Sequence, residues 1–262
     1  MSTGSPGRKL CFALPPSLGA GPVRELARRF ADVLYAAGFD TVVPTKTYGA
    51  LEQALLEGEV DAAWGPPIVC ARVESLGGRV AMRAVRYGSV TYRSVLICRS
   101  GDDLDMNQLA QGVRQPRAAW VDEWSMGGCI LPRAHLRARH IDPAAAFASE
   151  RMLGSYAACF EAVLEDEADV TASFAGRRGL GYVELCGERA FELRTIAYTA
   201  ECPNDAVVIG PRLDDAQAHR LVASIHTLLG RPQDKSVLAS MFDVDDFDVP
   251  APGTYAPLLS LL

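Results

Sequence analysis

The sequence predicts an α/β protein built from two similar lobes that close on a ligand cleft. Three observations support this prediction. Strand-like and helix-like segments alternate near the start, two stretches repeat at a constant offset, and two long apolar segments follow in positions suited to connecting lobes. Alternating strands and helices are typical of parallel sheets with crossover helices, and a repeat implies that one supersecondary unit occurs twice.

The composition argues against several classes of partner. The chain has 262 residues, of which 49% are hydrophobic and 22% charged, which is enough for a large core. Its net charge of -6 argues against nucleic acid or an anionic membrane as the main partner. No segment approaches the roughly 20 apolar residues of a membrane span. The opening stretch MSTGSPGRKL lacks the apolar run of a signal peptide, which predicts a cytoplasmic protein.

Motifs that carry chemistry are scarce. The chain has seven cysteines, an odd number, and none are close neighbours in the sequence. Neither a disulfide framework nor a CxxC site is therefore predicted. No GxSxG, HExxH, Walker or GxGxxG pattern occurs, and we expect no metal and no cofactor. Cys129 lies near a predicted helix start, where a nucleophilic thiolate is favoured, although a buried structural thiol is the stronger interpretation.

The first part of the chain alternates between the strand and helix patterns. Apolar residues at helical spacing, from Val23 to Leu34, predict a helix that Pro22 begins and Gly38 ends. The predicted order is strand 8–14, helix 22–37, strand 41–44, helix 49–57 and strand 60–64. This order implies a parallel sheet with crossover helices.

The internal repeat relates YGALEQALLEGEVD to YAACFEAVLEDEADV. At an offset of 108 residues the matched pairs include Tyr48 with Tyr156 and Asp61 with Asp169. Thr47 and Ser155 stand just before the two stretches, and both are predicted helix N-caps. The same offset aligns Ser17-Leu18-Gly19-Ala20 with Ser125-Met126-Gly127-Gly128. Convergent helix caps are the alternative, but one register shared by so many positions favours a true repeat.

Two apolar segments predict the connections between the lobes. Residues 90–100, VTYRSVLICRS, would pass from the first lobe to the second, and residues 192–210 would return. An amphipathic helix over 214–229 would then pack on the first lobe. The predicted domains are residues 1–97 and 201–262 for the first lobe and 98–200 for the second. Two such crossings would form the hinge of a ligand-closing protein.

The predicted site lies in loops at the carboxyl ends of the strands, where parallel sheets bind ligands. Ser125-Met126-Gly127-Gly128 stands where a strand turns into a helix, and the N–H groups of a helix start attract anions. We expect the glycines to admit a ligand to the backbone, and Ser125 to cap the helix or bond the ligand. A simple cap and turn is the alternative. The expected aromatic lining is Tyr48, Tyr92, Trp124 and Tyr156.

Five stretches of the sequence resemble one family of transport proteins. They are YGALEQALLEGEVDAAWGPP, TYRSVLICRSGDDLDMNQL, VDEWSMGGCILPRAHLRARHIDP, GSYAACFEAVLEDEADV and CPNDAVVIGPRL. In these stretches the sequence resembles the phosphate, phosphite and phosphonate solute-binding proteins of ABC importers, and the resemblance covers nearly the whole chain. These proteins belong to the type 2 periplasmic-binding-protein superfamily. The resemblance implies two α/β lobes that close on a small ligand, and without a signal peptide the chain would be an atypical member.

The resemblance also implies ligand-binding positions. Tyr48 and Tyr92 fall on family tyrosines near the ligand, and Asp205 falls on an aspartate that can meet a ligand amine. The family motif Ser-Thr-Ser-Gly reads Ser-Met-Gly-Gly here, and its Ser-His pair reads Ser155-Tyr156. Two hydroxyls and a histidine are lost, and each charge-assisted bond is worth roughly 1.5–3 kcal/mol. The full predicted set is Ser17, Tyr48, Tyr92, Trp124, Ser125, Met126, Gly127, Gly128, Ser155, Tyr156 and Asp205.

The expected function is the binding of a small organic anion, phosphonate-like or a carboxylate, without catalysis. Met126, Trp124 and Tyr156 predict a more apolar site than the family norm. Two alternatives stay open. One is a biosynthetic enzyme or accessory protein on the same fold. The other is a module that binds a peptide or partner protein in the cleft or at a homodimer face, with Trp124 as an anchor.

Overall fold

The computed structural model describes residues 9–16, 24–177 and 179–262 and divides into two compact units. Unit 1 contains the described residues up to Val90 together with Asn204–Leu259. Unit 2 contains Thr91–Pro203 and Ser260–Leu262. The chain therefore leaves unit 1 after Val90 and returns to it at Asn204.

Both units mix strands and helices, which confirms the predicted α/β class. The strands are β1 (Leu10–Leu14), β2 (Phe39–Pro44), β3 (Ala62–Gly65), β4 (Arg79–Val85), β5 (Thr91–Arg99), β6 (Arg117–Trp120), β7 (Ser149–Met152), β8 (Val170–Gly176), β9 (Gly179–Leu180), β10 (Leu193–Pro203), β11 (Ala206–Ile209) and β12 (Asp246–Asp248). The α-helices are α1 (Arg24–Ala36), α2 (Tyr48–Glu57), α3 (Pro67–Ser75), α4 (Met106–Gln111), α5 (Leu131–Arg137), α6 (Pro143–Ala146), α7 (Tyr156–Leu164), α8 (Gly181–Cys186), α9 (Asp215–Leu229) and α10 (Pro232–Phe242). A π-helical segment, here called the π-turn, covers Met126–Ile130, and 3₁₀ helices cover Gly187–Glu192 and Ala256–Leu261.

The two sheets share one arrangement of strands. The order in unit 1 is β12-β4-β11-β3-β1-β2, and in unit 2 it is β10-β5-β8-β6-β7, with β9 beside β8. In unit 1, β1 pairs in parallel with β2 and β3. In unit 2, β6 pairs in parallel with β7 and β8. The next strand in each sheet, β11 or β5, runs antiparallel to its neighbour.

The predicted repeat is visible in these elements. The helices α2 and α7 begin at the matched tyrosines, and β3 and β8 begin at Ala62 and Val170, which are also 108 residues apart. The hydroxyl of Thr47 accepts the N–H of Ala50 at 3.1 Å, and that of Ser155 accepts the N–H of Ala158 at 3.2 Å. Both predicted N-caps are therefore confirmed.

The repeated aspartates join β1 to β3 in unit 1 and β6 to β8 in unit 2. The carboxylate of Asp61 accepts the N–H of Cys11 at 2.9 Å, and that of Asp169 accepts the N–H of Arg117 at 2.7 Å. The N–H of each aspartate donates back to the carbonyl of the same partner. A carboxylate acceptor in this place satisfies a backbone N–H near the start of a strand.

The core of unit 1 is aromatic on the face that α1, α9 and α10 cover. Trp64 stacks on Phe242, with 3.9 Å between ring centroids and 5° between planes. Leu221 and Ile225 of α9 belong to the same buried cluster. The prediction that the helix over 214–229 packs on the first lobe is therefore confirmed.

The core of unit 2 lies on both faces of its sheet. Val95 and Ile97 belong to the cluster on one face, while Leu96 and Cys98 belong to the cluster on the other. All four side chains are fully buried. A strand covered on both faces is apolar without alternation, which explains the run VLIC in β5.

The structure departs from the predicted elements in one place. Residues 192–210 form two strands rather than one, because the chain turns at Asn204 and Asp205 between β10 and β11. Gly65, Pro66 and Pro67 join the end of β3 to the start of α3, and proline is well suited to a first helical turn. Pro22 and Ser17-Leu18-Gly19-Ala20 lie outside the described residues.

Two further sequence predictions concern cysteines and membrane helices. None of the seven cysteines forms a disulfide in the structure. No helix in the described part of the chain combines the length and apolar character that a membrane span requires.

Candidate functional site

The Ser-Met-Gly-Gly motif begins the π-turn, between β6 and α5. The hydroxyl of Ser125 accepts the N–H of Gly128 at 3.2 Å, so the predicted capping role of Ser125 is confirmed. The carbonyl of Ser125 accepts two N–H groups, from Cys129 at 2.9 Å and from Ile130 at 3.0 Å. The first turn therefore carries both the α-helical and the π-helical bond at one carbonyl.

The start of the π-turn presents backbone donors. The leading N–H groups of any helix have no acceptor within that helix. The Ser125 hydroxyl covers the N–H of Gly128, which leaves the N–H groups of Met126 and Gly127 without an intrahelical acceptor. Such groups, at the positive end of the helix dipole, are suited to bind an anion.

Gly127 lies close to three aromatic residues of unit 2. A Cβ placed on Gly127 would lie 2.8 Å from Tyr156 Oη, 3.4 Å from Tyr92 Cε2 and 3.8 Å from Phe174 Cβ. The Tyr156 ring packs edge-on against Phe174, with 5.4 Å between centroids. The structure thus brings together three predicted residues, Gly127, Tyr92 and Tyr156. It adds Phe174, which the sequence analysis did not single out.

Gly128 has a different surrounding. A Cβ placed there would lie 2.5 Å from Val121 Cγ2 and 2.8 Å from Ser125 Oγ. Close packing against Val121 and the capping hydroxyl therefore explains why position 128 requires a glycine. Contact between Gly128 and a ligand stays a prediction. The side chain of Met126 is buried, 2% exposed, so it contributes to the core.

Ser94 is a buried polar residue that sequence reasoning missed. Its hydroxyl donates to the Gly127 carbonyl at 2.5 Å and lies 3.1 Å from the Ser173 carbonyl. Its N–H donates to Thr199 Oγ1 at 2.9 Å. The sequence feature that could have revealed Ser94 is its position directly before the apolar run of β5, where a polar residue is unexpected.

The other predicted residues lie in separate places. Trp124 is half-buried in the turn before the cap, where its N–H donates to Asp122 Oδ1 at 2.8 Å. Tyr48 is the half-buried first residue of α2 in unit 1, and Asp205 also belongs to unit 1. Ser17 lies outside the described residues.

Asp205 already has a cationic partner. Its Oδ2 lies 3.0 Å from Nη1 of Arg86. The same guanidinium donates to the carbonyls of Asp243 at 3.1 Å and Phe242 at 3.3 Å, which holds it in place. The carboxylate that the resemblance assigns to a ligand amine is therefore compensated within unit 1.

The thiol of Cys129 is buried in the π-turn. Burial raises its pKa from 9.0 to about 12, because the thiolate would lose its hydration. This supports the interpretation as a structural thiol, since a nucleophile needs the thiolate form near neutral pH. Among the residues that the structure describes, no group of three or more His, Cys, Asp or Glu side chains could hold a metal ion.

The fold is that of binding proteins with two α/β lobes. A binding-protein component of an ABC phosphonate transporter from Pseudomonas aeruginosa superposes with a TM-score of 0.77 at 20% identity, over 96% of this chain and 84% of that one. A Xanthomonas citri protein solved with ATP gives 0.75 at 19% identity, over 96% and 94%. PhnD1 from Prochlorococcus marinus, in complex with methylphosphonate, gives 0.71 at 15% identity, over 96% of both chains. The chain therefore has the type 2 periplasmic-binding-protein fold that its motifs predicted.

The family follows from the sequence itself. The family model described as "ABC transporter, phosphonate, periplasmic substrate-binding protein" matches residues 31–255. The chain belongs to this family, which confirms the resemblance of its motifs. A comparison with curated proteins gives no significant match.

Proposed function

We propose that this protein is a solute-binding receptor that takes a small organic anion, phosphonate-like or a carboxylate, at the π-turn of unit 2. The observation that carries the proposal is the family match over residues 31–255. Members of a family of binding proteins share a fold built to hold a small ligand. The residues around the π-turn support the proposed place and mode of binding.

Backbone N–H groups supply the hydrogen-bond donors for the anion. The leading N–H groups of Met126 and Gly127 stand at the start of the π-turn, where both residues are buried, and no side chain on Gly127 stands between a ligand and the backbone. The hydroxyl of Tyr156 lies beside Gly127 and adds a neutral donor. These neutral groups favour a small anion with compact charge.

Aromatic rings supply the contact for the organic part of the ligand. Tyr92, Tyr156 and Phe174 surround the Gly127 position, and all three are half-buried. Rings in this arrangement offer apolar faces to a short carbon chain, while the tyrosine hydroxyls stay polar. We therefore expect an anion with an attached organic group to bind more tightly than inorganic phosphate.

A thermal-shift panel tests the proposal. The panel contains methylphosphonate, inorganic phosphate, acetate, succinate and ATP, with sodium chloride at matched ionic strength as the control. A ligand at 100 times its Kd stabilises the native state by about 2.7 kcal/mol. We expect at least one organic anion to raise the Tm of the wild type. Stabilisation by none of them would contradict the proposal and favour the peptide-binding alternative.

A matched pair of variants ties the shift to the site. Tyr156→Ala removes the ring and hydroxyl beside Gly127, and we expect it to abolish the ligand-dependent shift. Tyr35→Ala removes a tyrosine that is 71% exposed on α1 of unit 1. The Tyr35 variant should keep the full shift. Equal shifts in both variants would place binding elsewhere.

ATP has a place in the panel because the Xanthomonas citri protein was solved with it. A nucleotide is far larger than methylphosphonate and carries more charge. If ATP alone stabilises the protein, the ligand is a nucleotide, and the small-anion part of the proposal fails. If methylphosphonate or a carboxylate stabilises it more, the small-anion part is supported.

The cytoplasmic location and the homodimer are separate proposals. Cell fractionation with an antibody against the protein tests the first, and recovery outside the cytoplasm would contradict it. Light scattering after size exclusion tests the second, and a mass near 28.1 kDa would contradict it.

A further inference from the structure

Pro132 explains why the π-turn needs hydrogen-bond donors from outside the helix. The N–H of Leu131 donates to the carbonyl of Met126, five residues back. The next bond in this pattern would join the N–H of residue 132 to the carbonyl of Gly127. Proline has no N–H, so the Gly127 carbonyl has no donor within the helix. In the α-helical pattern the same proline would leave the Gly128 carbonyl without its donor.

Two donors from neighbouring strands fill these places. The N–H of Val121, just after β6, donates to the Gly128 carbonyl at 3.4 Å. The hydroxyl of Ser94, in β5, donates to the Gly127 carbonyl at 2.5 Å. A carbonyl that is buried without a partner costs free energy. These two contacts therefore compensate for the proline.

Ser94 is held on its other side by β10. Its N–H donates to Thr199 Oγ1, and the Thr199 hydroxyl donates to the Ala200 carbonyl at 2.8 Å. Thr199 lies where the pairing of β10 with β5 shifts register. The Ser94 side chain is completely buried, directly before the apolar run of β5. Burying a hydroxyl costs free energy unless the hydroxyl forms a hydrogen bond. Here the hydroxyl bonds the Gly127 carbonyl of the π-turn.

The contacts fix one peptide group at both ends. The carbonyl of Gly127 and the N–H of Gly128 belong to the same planar unit. Ser94 Oγ bonds the carbonyl end, and Ser125 Oγ bonds the N–H end. The preceding peptide unit carries the Gly127 N–H and joins this one at the Gly127 Cα, and its own carbonyl, that of Met126, accepts the N–H of Leu131.

We propose that Ser94 is a positioning residue for the ligand site: its hydroxyl holds the π-turn so that the leading N–H groups point to the ligand. This inference rests on the proposed function. Ser94 does not itself contact the ligand in this account. It acts through Gly127, as a hydroxyl that takes the place of the N–H missing from Pro132.

The test compares two deletions of a buried hydroxyl in unit 2. Ser94→Ala removes the bond to the π-turn. Thr171→Val removes a fully buried hydroxyl that donates to the Ala119 carbonyl of β6 at 2.6 Å and not to the π-turn. Calorimetric titration with methylphosphonate measures the affinity of each variant, and thermal unfolding measures its Tm. We expect both variants to lose stability, and only Ser94→Ala to lose about tenfold in affinity.

Two further variants separate the loss of the hydrogen bond from a general loss of stability. Ser94→Cys retains a side chain of similar size with a weak donor, and we expect a smaller loss than in Ser94→Ala. Pro132→Ala restores the missing N–H, so in the Ser94→Ala background it should recover most of the affinity. This recovery would not follow from a loss of stability alone.

The possible failures are distinguishable. A wild type that does not bind methylphosphonate, in a panel where nothing else binds, overturns the proposed function and the inference with it. A wild type that binds, together with a Ser94→Ala variant within about twofold of it, overturns the inference alone. A Thr171→Val variant that loses as much affinity as Ser94→Ala also overturns it.

Discussion

Gly127 and Gly128 are adjacent in the chain, yet different neighbours require each of them. The Cβ position of Gly127 faces the end of a tyrosine side chain, whereas that of Gly128 faces Val121 and the capping hydroxyl. The end of a long side chain can shift at small cost, but a β-branched side chain next to its own backbone cannot. The two glycines therefore have separate consequences for binding and for stability.

Alanine at each glycine separates these consequences. We expect Gly128→Ala to lower the free energy of unfolding by about 1–3 kcal/mol, because the new methyl overpacks against Val121. We expect Gly127→Ala to change stability less and to weaken ligand binding, because it displaces the Tyr156 hydroxyl. Chemical denaturation and calorimetric titration measure the two effects. The reverse pattern would contradict the assignment of the glycines.

Tyr156→Phe is the control for Gly127→Ala. It removes the oxygen that lies 2.8 Å from the Cβ position, so the added methyl no longer meets it. We therefore expect the double variant to be more stable than the sum of the single changes implies, as contacting residues show in double-mutant cycles. Strict additivity would indicate that the two residues are not in contact.

Cys129 provides a prediction about reactivity. Because burial raises its thiol pKa to about 12, the thiolate form is rare at pH 8. We expect a thiol reagent such as DTNB to label Cys129 at a rate limited by unfolding, with Cys129→Ala identifying its signal. Rapid labelling in the native protein at pH 8 would revive the interpretation as a nucleophile.

At the scale of elements, the matched helices α2 and α7 begin with the same device. Thr47 and Ser155 each cap a helix whose first residue is a tyrosine. A side-chain cap satisfies an N–H that the helix itself cannot. The caps thus fix where Tyr48 and Tyr156 stand in their units.

Removing a cap tests this role. We expect Ser155→Ala to lower the free energy of unfolding by about 0.5–2 kcal/mol, and Thr47→Ala to do the same in unit 1. Ser155→Asp keeps an acceptor at the cap and should retain most of the stability. An alanine variant as stable as the wild type, measured by denaturant unfolding, would show that the cap contributes nothing.

The ion pair of Arg117 and Asp169 makes the stability of unit 2 depend on pH. A hydrogen bond from Arg117 holds the pKa of Asp169 below its ordinary value of 3.8. A carboxylate with a lowered folded pKa contributes stability above its unfolded pKa, and this stability is lost as pH falls through the folded value. We expect the wild type to lose stability below about pH 4.

Asp169→Asn checks this dependence. The variant should be less stable at pH 7 and show a flatter decline below about pH 4. Asp103→Asn, at a carboxylate that is 86% exposed, serves as the control and should follow the wild-type profile. A wild-type decline that Asp169→Asn leaves unchanged would assign the acid sensitivity to other groups.

Local signals explain which elements the sequence predicted well. The caps, the repeat and the helix α9 depend on residues that are close in the chain, so spacing was enough. The π-turn was missed because the proline acts together with Ser94, which is 33 residues away from Gly127. The pairing of Arg86 with Asp205 spans 119 residues, and no short-range pattern encodes it. The glycines and tyrosines of the site could therefore be predicted from the sequence. The distant residues that hold its groups in place, Ser94 and Arg86, could not.

At the scale of the whole molecule, one arrangement of strands occurs in both units. Each sheet has a parallel triplet, followed by an antiparallel strand that comes from a distant part of the chain. The two units are thus variations of one supersecondary plan. The family match assigns this chain to a family of substrate-binding proteins, and we propose that the ligand binds at the π-turn, where the N–H groups of Met126 and Gly127 have no acceptor within the helix.

The most direct test of this account is a titration of ¹⁵N-labelled protein with methylphosphonate, followed by the amide resonances in ¹H–¹⁵N spectra. The account predicts saturable shifts that are largest at Met126 and Gly127, with smaller shifts at Tyr156 and Ser94. Ser94→Ala should reduce the shifts at the two leading amides. Saturable shifts confined to residues away from the π-turn would contradict the account.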